Sequence, residues 1–138
     1  EGHVTTFEPS SRMLETLRRT IRANGVQDVV ELEHAAVGSV SESSERIFGP
    51  ADGPTLEPDA IPACDVLDID AEGAEFDILP RLPVEPRLLT VEAHTHLGGS
   101  AAEIEAELDR LGYEVVERQP IPESEDIINY VAVTDSRG

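Results

Sequence analysis

A run of carboxylates surrounds one glycine in the stretch DVLDIDAEGAEFDIL, residues 65–79. Like charges at such close spacing repel one another unless a ligand, a metal ion or solvent compensates them. Asp70 and Glu72, which follow a short apolar run directly, are therefore candidates for a binding site. Asp68 and Asp77 are more typical of an acidic surface or of acids that stabilise a helix N-terminus. Glu75 remains open between these interpretations.

A second group of residues with useful chemistry lies at 92–96. Glu92 and His94 are separated by one residue, and at a strand end this pair could supply a general base near neutral pH. His94 could also join Asp70 and Glu72 in holding a divalent metal ion. The alternative is that His94 only makes hydrogen bonds within a loop. His96, His3 and the single Cys64 are expected to be structural.

Strands and helices that could position these residues are predicted in alternation. β-branched or alternating stretches predict strands over 3–7, 29–34, 64–69, 88–92, 113–118 and 127–134. One helix is predicted from Ser10 or Ser11 to Asn24, before Gly25. Another runs from a capping box, Ser100 with Glu103, to Gly112. A short helix is predicted over 73–79, and a long loop over 38–63 with a short strand near 46–48.

This alternation predicts a single α/β domain over residues 1–138. The expected architecture is a Rossmann-like, mostly parallel sheet with helices on both faces and an antiparallel hairpin at the C-terminus. In such sheets ligands bind beyond the carboxyl ends of the strands. The polar residues predicted at those ends are Glu8, His34, Asp70 with Glu72, and Glu92 with His94. They are therefore expected to form one site.

The charge balance restricts the partners of the chain. The formal net charge is −19, and all ten basic residues are Arg. Nucleic acid and anionic membranes are unsuitable partners because no basic patch is available to replace their counter-ions. Such an acidic, Lys-free composition is typical of haloarchaeal proteins, although an acidic protein from a GC-rich genome is the alternative. With no apolar run long enough to span a membrane, a soluble cytoplasmic protein is expected, and the sequence leaves a homo-oligomer open.

Several stretches, in this order, resemble the FkbM-like methyltransferases, class I enzymes that use S-adenosylmethionine. They are FEPSSRMLETLRRTIRANG, AAVGS, DVLDIDAEGAEFDIL, LLTVEAH and ELDRLGYEV. The most specific pieces are F-E-P at 7–9 and D-x-E-G-A-E at 70–75. The resemblance implies methyl transfer to a hydroxyl of a sugar or small metabolite.

The resemblance also implies which residues contact the cofactor. The acidic residue of F-E-P accepts hydrogen bonds from the ribose hydroxyls, a task that suits a carboxylate because it can accept from two donors. The turn after the third strand of the family packs near the adenine, and the D-x-E-G motif closes the pocket. The cofactor-binding residues implied in this way are Glu8, Pro9, His34, Ala35, Asp70, Glu72 and Gly73.

The sequence departs from the family pattern at its start. The family begins with a strand and a glycine-rich D-x-G-x-x-x-G turn, which this sequence does not supply. We therefore expect an N-terminally truncated domain that lacks a central strand. One alternative is a non-catalytic binding or assembly module of the same fold. Others are a fragment of a nicotinamide-dependent oxidoreductase, in which Glu8 would also suit an adenosine ribose, and a plain calcium or magnesium binder.

Overall fold

The structure is a computed structural model of the chain, and it describes residues 2–39, 42, 45–46 and 49–134. Eight strands and three helices are described. The strands are β1 (Val4–Phe7), β2 (Val30–Glu33), β3 (Ala36–Val37), β4 (Thr55–Leu56), β5 (Val66–Ile69), β6 (Leu88–His94), β7 (Glu114–Ile121) and β8 (Ser124–Val133). The helices are α1 (Ser11–Ala23), α2 (Glu75–Ile78) and α3 (Ala101–Arg110).

The strands pair in three sheets. β1 with β2 and β3 with β4 form two parallel pairs, and the third sheet has the order β5-β6-β8-β7. In that sheet β5 is parallel to β6, whereas β8 is antiparallel to both β6 and β7. The predicted α/β class, with mostly parallel pairing and a C-terminal antiparallel hairpin, is confirmed.

The division of the sheet is a difference from the single sheet expected from the sequence. Within the described residues, β1 pairs only with β2 and β5 pairs only with β6. The resemblance places the expected missing strand between these two edges. Without a strand there, backbone hydrogen bonding cannot join the two sheets.

The core lies on one face of the four-stranded sheet. Alternate residues of β6, among them Leu89, Val91 and Ala93, point into it and are at most 1% exposed. Ile104 and Leu108 on α3 cover them, as the apolar stripe of that helix predicts. Several strand residues on the opposite face, such as Asp68 and Thr90, are polar and partly or fully exposed. The core therefore fixes which side chains of β5 and β6 remain available for chemistry.

The two longer helices, α3 and α1, lie where the local sequence signals predict them. Ser100 Oγ accepts the amide of Glu103 at 3.3 Å and donates to its carboxylate at 2.9 Å, while Gly112 follows the helix with φ +83°. Ser10 precedes α1 in an extended conformation, although its side chain makes no capping bond. Of the apolar face predicted for α1, only Leu14 is fully buried.

The segment predicted as a long loop contains ordered structure. Thr55–Leu56 pairs in parallel with Ala36–Val37, and a 3₁₀ turn follows over Pro58–Ala60. The prediction of a long loop over 38–63, with a short strand only near 46–48, is therefore wrong at 55–60, because two residues of pairing give no readable periodicity. Of the strand predicted near 46–48, Arg46 is helical in the structure, so the prediction is wrong there, and residues 47 and 48 lie outside the described residues.

Gly99 is predicted to be intolerant of even one added methyl group. A Cβ at this position would lie 2.1 Å from a ring carbon of Phe76. We expect Gly99→Ala to lower the free energy of unfolding by about 1–3 kcal/mol, since the ring must leave its packed position. Gly2→Ala is the control, because a Cβ there has nothing within 4 Å. Urea unfolding at one fixed salt concentration measures both, and equal stability of the two variants would contradict the packing argument.

Candidate functional site

The ends of two adjacent parallel strands bring three candidate residues together. Ile69 is level with Val91 across β5 and β6, so Asp70 and Glu92 follow side by side. His94 is the last residue of β6. Each of these three side chains offers one ligand atom, and the atoms lie within 4.8 Å of one another. The sequence prediction that Asp70, Glu92 and His94 converge is thus consistent with the geometry.

The imidazole of His94 is enclosed by carboxylates. Its side chain is 3% exposed. Nε2 lies 3.4 Å from Glu92 Oε1, 3.5 Å from Glu72 Oε2 and 3.9 Å from Asp70 Oδ1. Nδ1 lies 3.3 Å from Glu75 Oε1 but has no hydrogen-bond partner in the part of the chain that the structure describes. We refer to these five residues, Asp70, Glu72, Glu75, Glu92 and His94, as the His94 cluster.

Glu75 is the member of the cluster whose position the sequence did not predict. It is 0% exposed. Oε1 accepts the backbone N–H of His94 at 2.6 Å, and Oε2 accepts the backbone N–H of Gly73 at 2.7 Å. The only available signal was its place in the D-x-E-G-A-E motif. Its spacing alone fits an exposed acid in the first turn of a helix.

A strained turn presents Glu72 to the cluster. Glu72 has φ +48°, in the left-handed region that a residue with a Cβ enters at an energetic cost, and Gly73 follows with φ +103°. A Cβ at Gly73 would lie 2.9 Å from Leu97 Cβ. Glycine is therefore required here for close packing against the 3₁₀ turn Thr95–Leu97 that follows β6.

Burial and charge act in opposite directions on the pKa values of the cluster. Burial, the largest influence, raises the pKa of Asp70 and of Glu72, and the charge of His94 offsets part of this effect. Burial alone would lower the pKa of His94, but the contacts with Glu75, Glu72 and Asp70 outweigh it and raise that pKa. The cluster therefore stabilises a positive charge at its centre.

The pKa of Glu75 moves in the opposite direction from those of its acidic neighbours. Burial would raise it, but the hydrogen bonds from His94 and Gly73 outweigh burial and lower the pKa of this carboxyl group. Glu75 is therefore ionised at neutral pH. Burial acts the other way on Asp70 and Glu72, whose pKa values it raises.

A cavity of about 260 Å³ adjoins the cluster on the open face of the four-stranded sheet. Its polar lining includes three carboxylates, one hydroxyl and one amide, and no basic side chain. These groups accept or exchange hydrogen bonds with neutral polar ligands and repel anionic ones. The polar residues that line it are Asp68, Asp70, Thr90, Glu92 and Asn129.

The predicted residues at the ends of β1 and β2 form a second group. Glu8 Oε1 accepts the backbone N–H of Ser10 at 2.7 Å. His34 Nε2 lies 3.2 Å from both the carbonyl oxygen of Pro9 and Asp52 Oδ1. Ala35, next to His34, is 2% exposed. No hydrogen bond or ion pair among the described residues joins this group to the His94 cluster.

The second group retains one acceptor that suits a cofactor hydroxyl. In the described structure Glu8 Oε2 accepts no hydrogen bond, so half of this partly buried carboxylate is available for a ribose. The ring of His34, by contrast, already contacts Pro9 and Asp52. The residues present are therefore compatible with the cofactor role assigned to Glu8, while the roles of Pro9, His34, Ala35 and Gly73 stay predictions.

The other acidic residues of the opening motif have structural partners. Asp68 is exposed and accepts a hydrogen bond from Thr90 Oγ1. Asp77 accepts bonds from the amide and hydroxyl of Ser39 and pairs with Arg81 at 2.7 Å. Both contacts lie at the surface, which agrees with the interpretation of these two residues as surface charge.

Comparison with known protein families finds a match in the middle of the chain. Residues 52–115 match the family model of the methyltransferase FkbM domain, so the resemblance predicted from sequence is confirmed for that segment. The segment contains the whole His94 cluster. No curated protein sequence matches the chain.

The solved structures similar to the chain include two methyltransferases. One, from Staphylococcus aureus, is assigned as a caffeoyl-CoA O-methyltransferase: identity is 17%, the TM-score is 0.47, and the match covers 95% of this chain and 64% of that one. The other is the S. pombe Dnmt2 methyltransferase, with 11% identity, a TM-score of 0.42, and coverage of 100% and 50%. The chain thus spans less than two thirds of either protein. No helix among its described residues has the length and apolar character needed to cross a membrane.

The stability of the folded protein in acid is predicted to depend on Asp52, whose carboxylate contacts His34 of the second group. Its Oδ1 accepts the backbone N–H of Ser11 at 2.8 Å, and hydrogen bonding from Ser11 lowers the pKa of Asp52 from 3.8 to about 2. A lowered pKa in the folded state stabilises the fold above pH 3.8 and is lost as the pH falls towards 2. Asp52→Asn should therefore reduce stability at neutral pH, by an amount that shrinks in acid.

Urea unfolding of both proteins at a series of pH values and constant salt measures this difference. Asp28→Asn is the control, because Asp28 is exposed and makes no hydrogen bond in the described part of the chain. A difference between Asp52→Asn and the unmodified protein that stays constant with pH would contradict the prediction.

Proposed function

Because residues 52–115 match the methyltransferase FkbM domain, we propose that this protein is a methyltransferase that uses S-adenosylmethionine to methylate a hydroxyl group. The observation that carries the proposal is the overlap of this match with the His94 cluster. Both strand ends that hold the cluster, with Asp70 on one side and Glu92 and His94 on the other, lie inside the matched segment.

Methyl transfer leaves the protein with two tasks. The cofactor, when bound, supplies a sulfonium that already activates the methyl group. The protein must align the acceptor and remove one proton. We assign the hydrogen bond to the ribose to Glu8, whose second carboxylate oxygen accepts nothing within the described structure. Asp70 and Glu72, at the end of β5, are proposed to border the same cofactor.

Proton removal is assigned to Glu92 together with His94. Glu92 lines the cavity and its side chain is 30% exposed, so an acceptor hydroxyl can approach it from solvent. His94 Nε2 lies 3.4 Å behind it and is closed off from solvent. Glu92 would accept the proton from the hydroxyl and share it with His94, whose charge the surrounding carboxylates stabilise.

The lining of the cavity favours a neutral acceptor. Thr90 and Asn129 can exchange hydrogen bonds with hydroxyl groups, and three carboxylates can accept them. An acceptor bearing phosphate or carboxylate would meet like charge with no basic side chain in the lining. A sugar or another small hydroxylated metabolite fits these conditions best.

A divalent metal ion held by the same residues is the proposed alternative to proton removal by Glu92 with His94. Asp70, Glu92 and His94 combine two oxygen ligands and one imidazole within 4.8 Å, a donor set that fits ions such as Mn²⁺. The buried imidazole, whose Nε2 faces both Glu92 and Asp70, supports this more strongly than the acids alone. When bound, such an ion would lower the pKa of the acceptor hydroxyl.

Cofactor binding by this chain is predicted to depend on Glu8. In concentrated potassium chloride, calorimetric titration with S-adenosylhomocysteine should give saturable binding. Glu8→Ala should weaken it by about 10- to 100-fold, the worth of hydrogen bonds to a charged acceptor. Glu33→Ala, at the end of the neighbouring strand, is the matched control and should bind as the unmodified chain does.

The same preparation tests the reaction. Transfer of a labelled methyl group to members of a panel of sugars and small alcohols would support the proposed function. Saturable binding without transfer to any hydroxyl would instead support the non-catalytic module, and no binding by a folded chain would refute both.

Replacing Asp70 is predicted to weaken metal binding more than replacing Asp68, two positions earlier in the chain. Titration with Mn²⁺ in concentrated potassium chloride, followed by electron paramagnetic resonance, should show one saturable site. Asp70→Asn should weaken it by about tenfold or more, because the variant removes a ligand. Asp68→Asn should change it little, since Asp68 is not one of the three residues whose ligand atoms converge and is bonded to Thr90. Equal effects of the two substitutions would show diffuse attraction to an acidic surface in place of a site.

A further inference from the structure

Glu75 is a fully buried carboxylate in the middle of the candidate site. Removing an ionised carboxylate from water is costly unless hydrogen bonds or opposite charges compensate it. Here the compensation is specific, because two backbone N–H groups donate to it at 2.6 and 2.7 Å. Both bonds are at the short end of the range, as expected for a charged acceptor.

The two donors belong to different segments of the site. Gly73 lies in the turn after β5, which carries Asp70 and Glu72. His94 ends β6, which also carries Glu92. One carboxylate thus joins the two segments from which every other member of the His94 cluster projects. No other side chain among the described residues hydrogen-bonds to both.

Glu75 also faces one nitrogen of the His94 ring. Oε1, which accepts the backbone N–H of His94, lies 3.3 Å from Nδ1 of the same residue. Nε2, on the other side of the ring, faces Glu92. A carboxylate that contacts one ring nitrogen of a histidine fixes the orientation of the ring, so that the other nitrogen can be directed at a metal ion or a proton carrier.

We propose that Glu75 is a positioning residue of the methyl-transfer site, which fixes the end of β6 against the turn after β5 and directs His94 Nε2 towards Glu92. It does not itself touch the acceptor, because its side chain is fully buried. The part of this role that concerns the reaction rests on the proposed function. The link between the two segments is a property of the fold.

The geometry explains why a glutamate is required. Each of its two oxygens accepts from a separate backbone donor. In Glu75→Gln one oxygen becomes an NH₂ group, which would face a backbone N–H as donor against donor. In Glu75→Asp the charge remains, but the side chain is one methylene shorter and cannot reach both donors at the observed distances. Asp77→Asn is the matched control, because this carboxylate of α2 bonds to Ser39 and Arg81 and not to β6.

The first test follows backbone amides by hydrogen exchange and proton chemical shift. In the unmodified protein the amides of Gly73 and His94 should exchange slowly and resonate downfield, as short bonds to a carboxylate require. In Glu75→Gln at least one should lose this protection, whereas Asp77→Asn should retain both. Free exchange of these amides in the unmodified protein would overturn the proposal whether or not any variant folds.

The second test separates positioning from general stability. Under conditions in which the variant is folded, Glu75→Gln should lower kcat for methyl transfer by about tenfold or more and leave KM for S-adenosylmethionine within about twofold. Glu75→Asp should fall between Glu75→Gln and the unmodified protein, and it replaces Glu75→Gln if that variant does not fold. Unchanged kcat with intact folding would overturn the role in the reaction.

Failure of the proposed function would look different. If the unmodified protein transferred no methyl group to any acceptor, the proposed function would fail, and the amide measurements would still decide whether Glu75 joins the two segments. Protected amides without methyl transfer would assign Glu75 to the fold and refute its part in the reaction.

Discussion

The carboxylate of Glu75 joins the turn after β5 to the end of β6, the two segments on which the candidate site is built. It bonds to the amide of Gly73 nearby and to that of His94, 19 positions further along the chain, and so brings together the ends of two parallel strands. The strained conformation of Glu72 and the close approach of Gly73 to Leu97 both occur in the turn that it holds. Backbone strain of this kind persists only where neighbouring contacts fix it. The arrangement of acids around His94 therefore depends on one buried acid that cannot take part in binding a small molecule directly.

Charge has different consequences at the surface and inside this protein. At a net charge of −19, exposed carboxylates repel one another at long range, and at about 1 M salt this repulsion is screened beyond about 3 Å. Asp68 and Asp77 find local partners at the surface, a hydroxyl and an Arg side chain respectively. The charges around His94 are held at contact distances and partly buried, so salt cannot screen them to the same extent. Among so many acids, enclosure around a buried histidine distinguishes the candidate site from the surface.

Local patterns predicted much of this structure, and long-range contacts account for the rest. The capping residues of α3 and the alternation along β6 and β8 needed only neighbouring residues, and these elements were predicted. The convergence of Asp70, Glu92 and His94 followed from a rule about where parallel strands end. The burial of Glu75 could not be predicted, because its partners are distant amides and its sequence position resembles any first-turn acid. By strand alternation His94 lies on the same face of β6 as Thr90 and Glu92, which are partly exposed. Its burial depends on the packing of the turn after β5 against the turn after β6, which alternation does not predict.

The separation of the β1–β2 pair from the four-stranded sheet has a consequence for motion. Stability within a fold is distributed in cooperative units whose boundaries follow shared hydrogen bonds and packing. β1 and β2 share none of their ladder with β5, and α1 buries only Leu14. Opening of this pair would break no hydrogen bond of the β5-β6-β8-β7 ladder. In the proposed function Glu8 binds the cofactor ribose and Glu92 faces the acceptor hydroxyl, so the two substrates would be held by parts of the fold that share no ladder in the described structure.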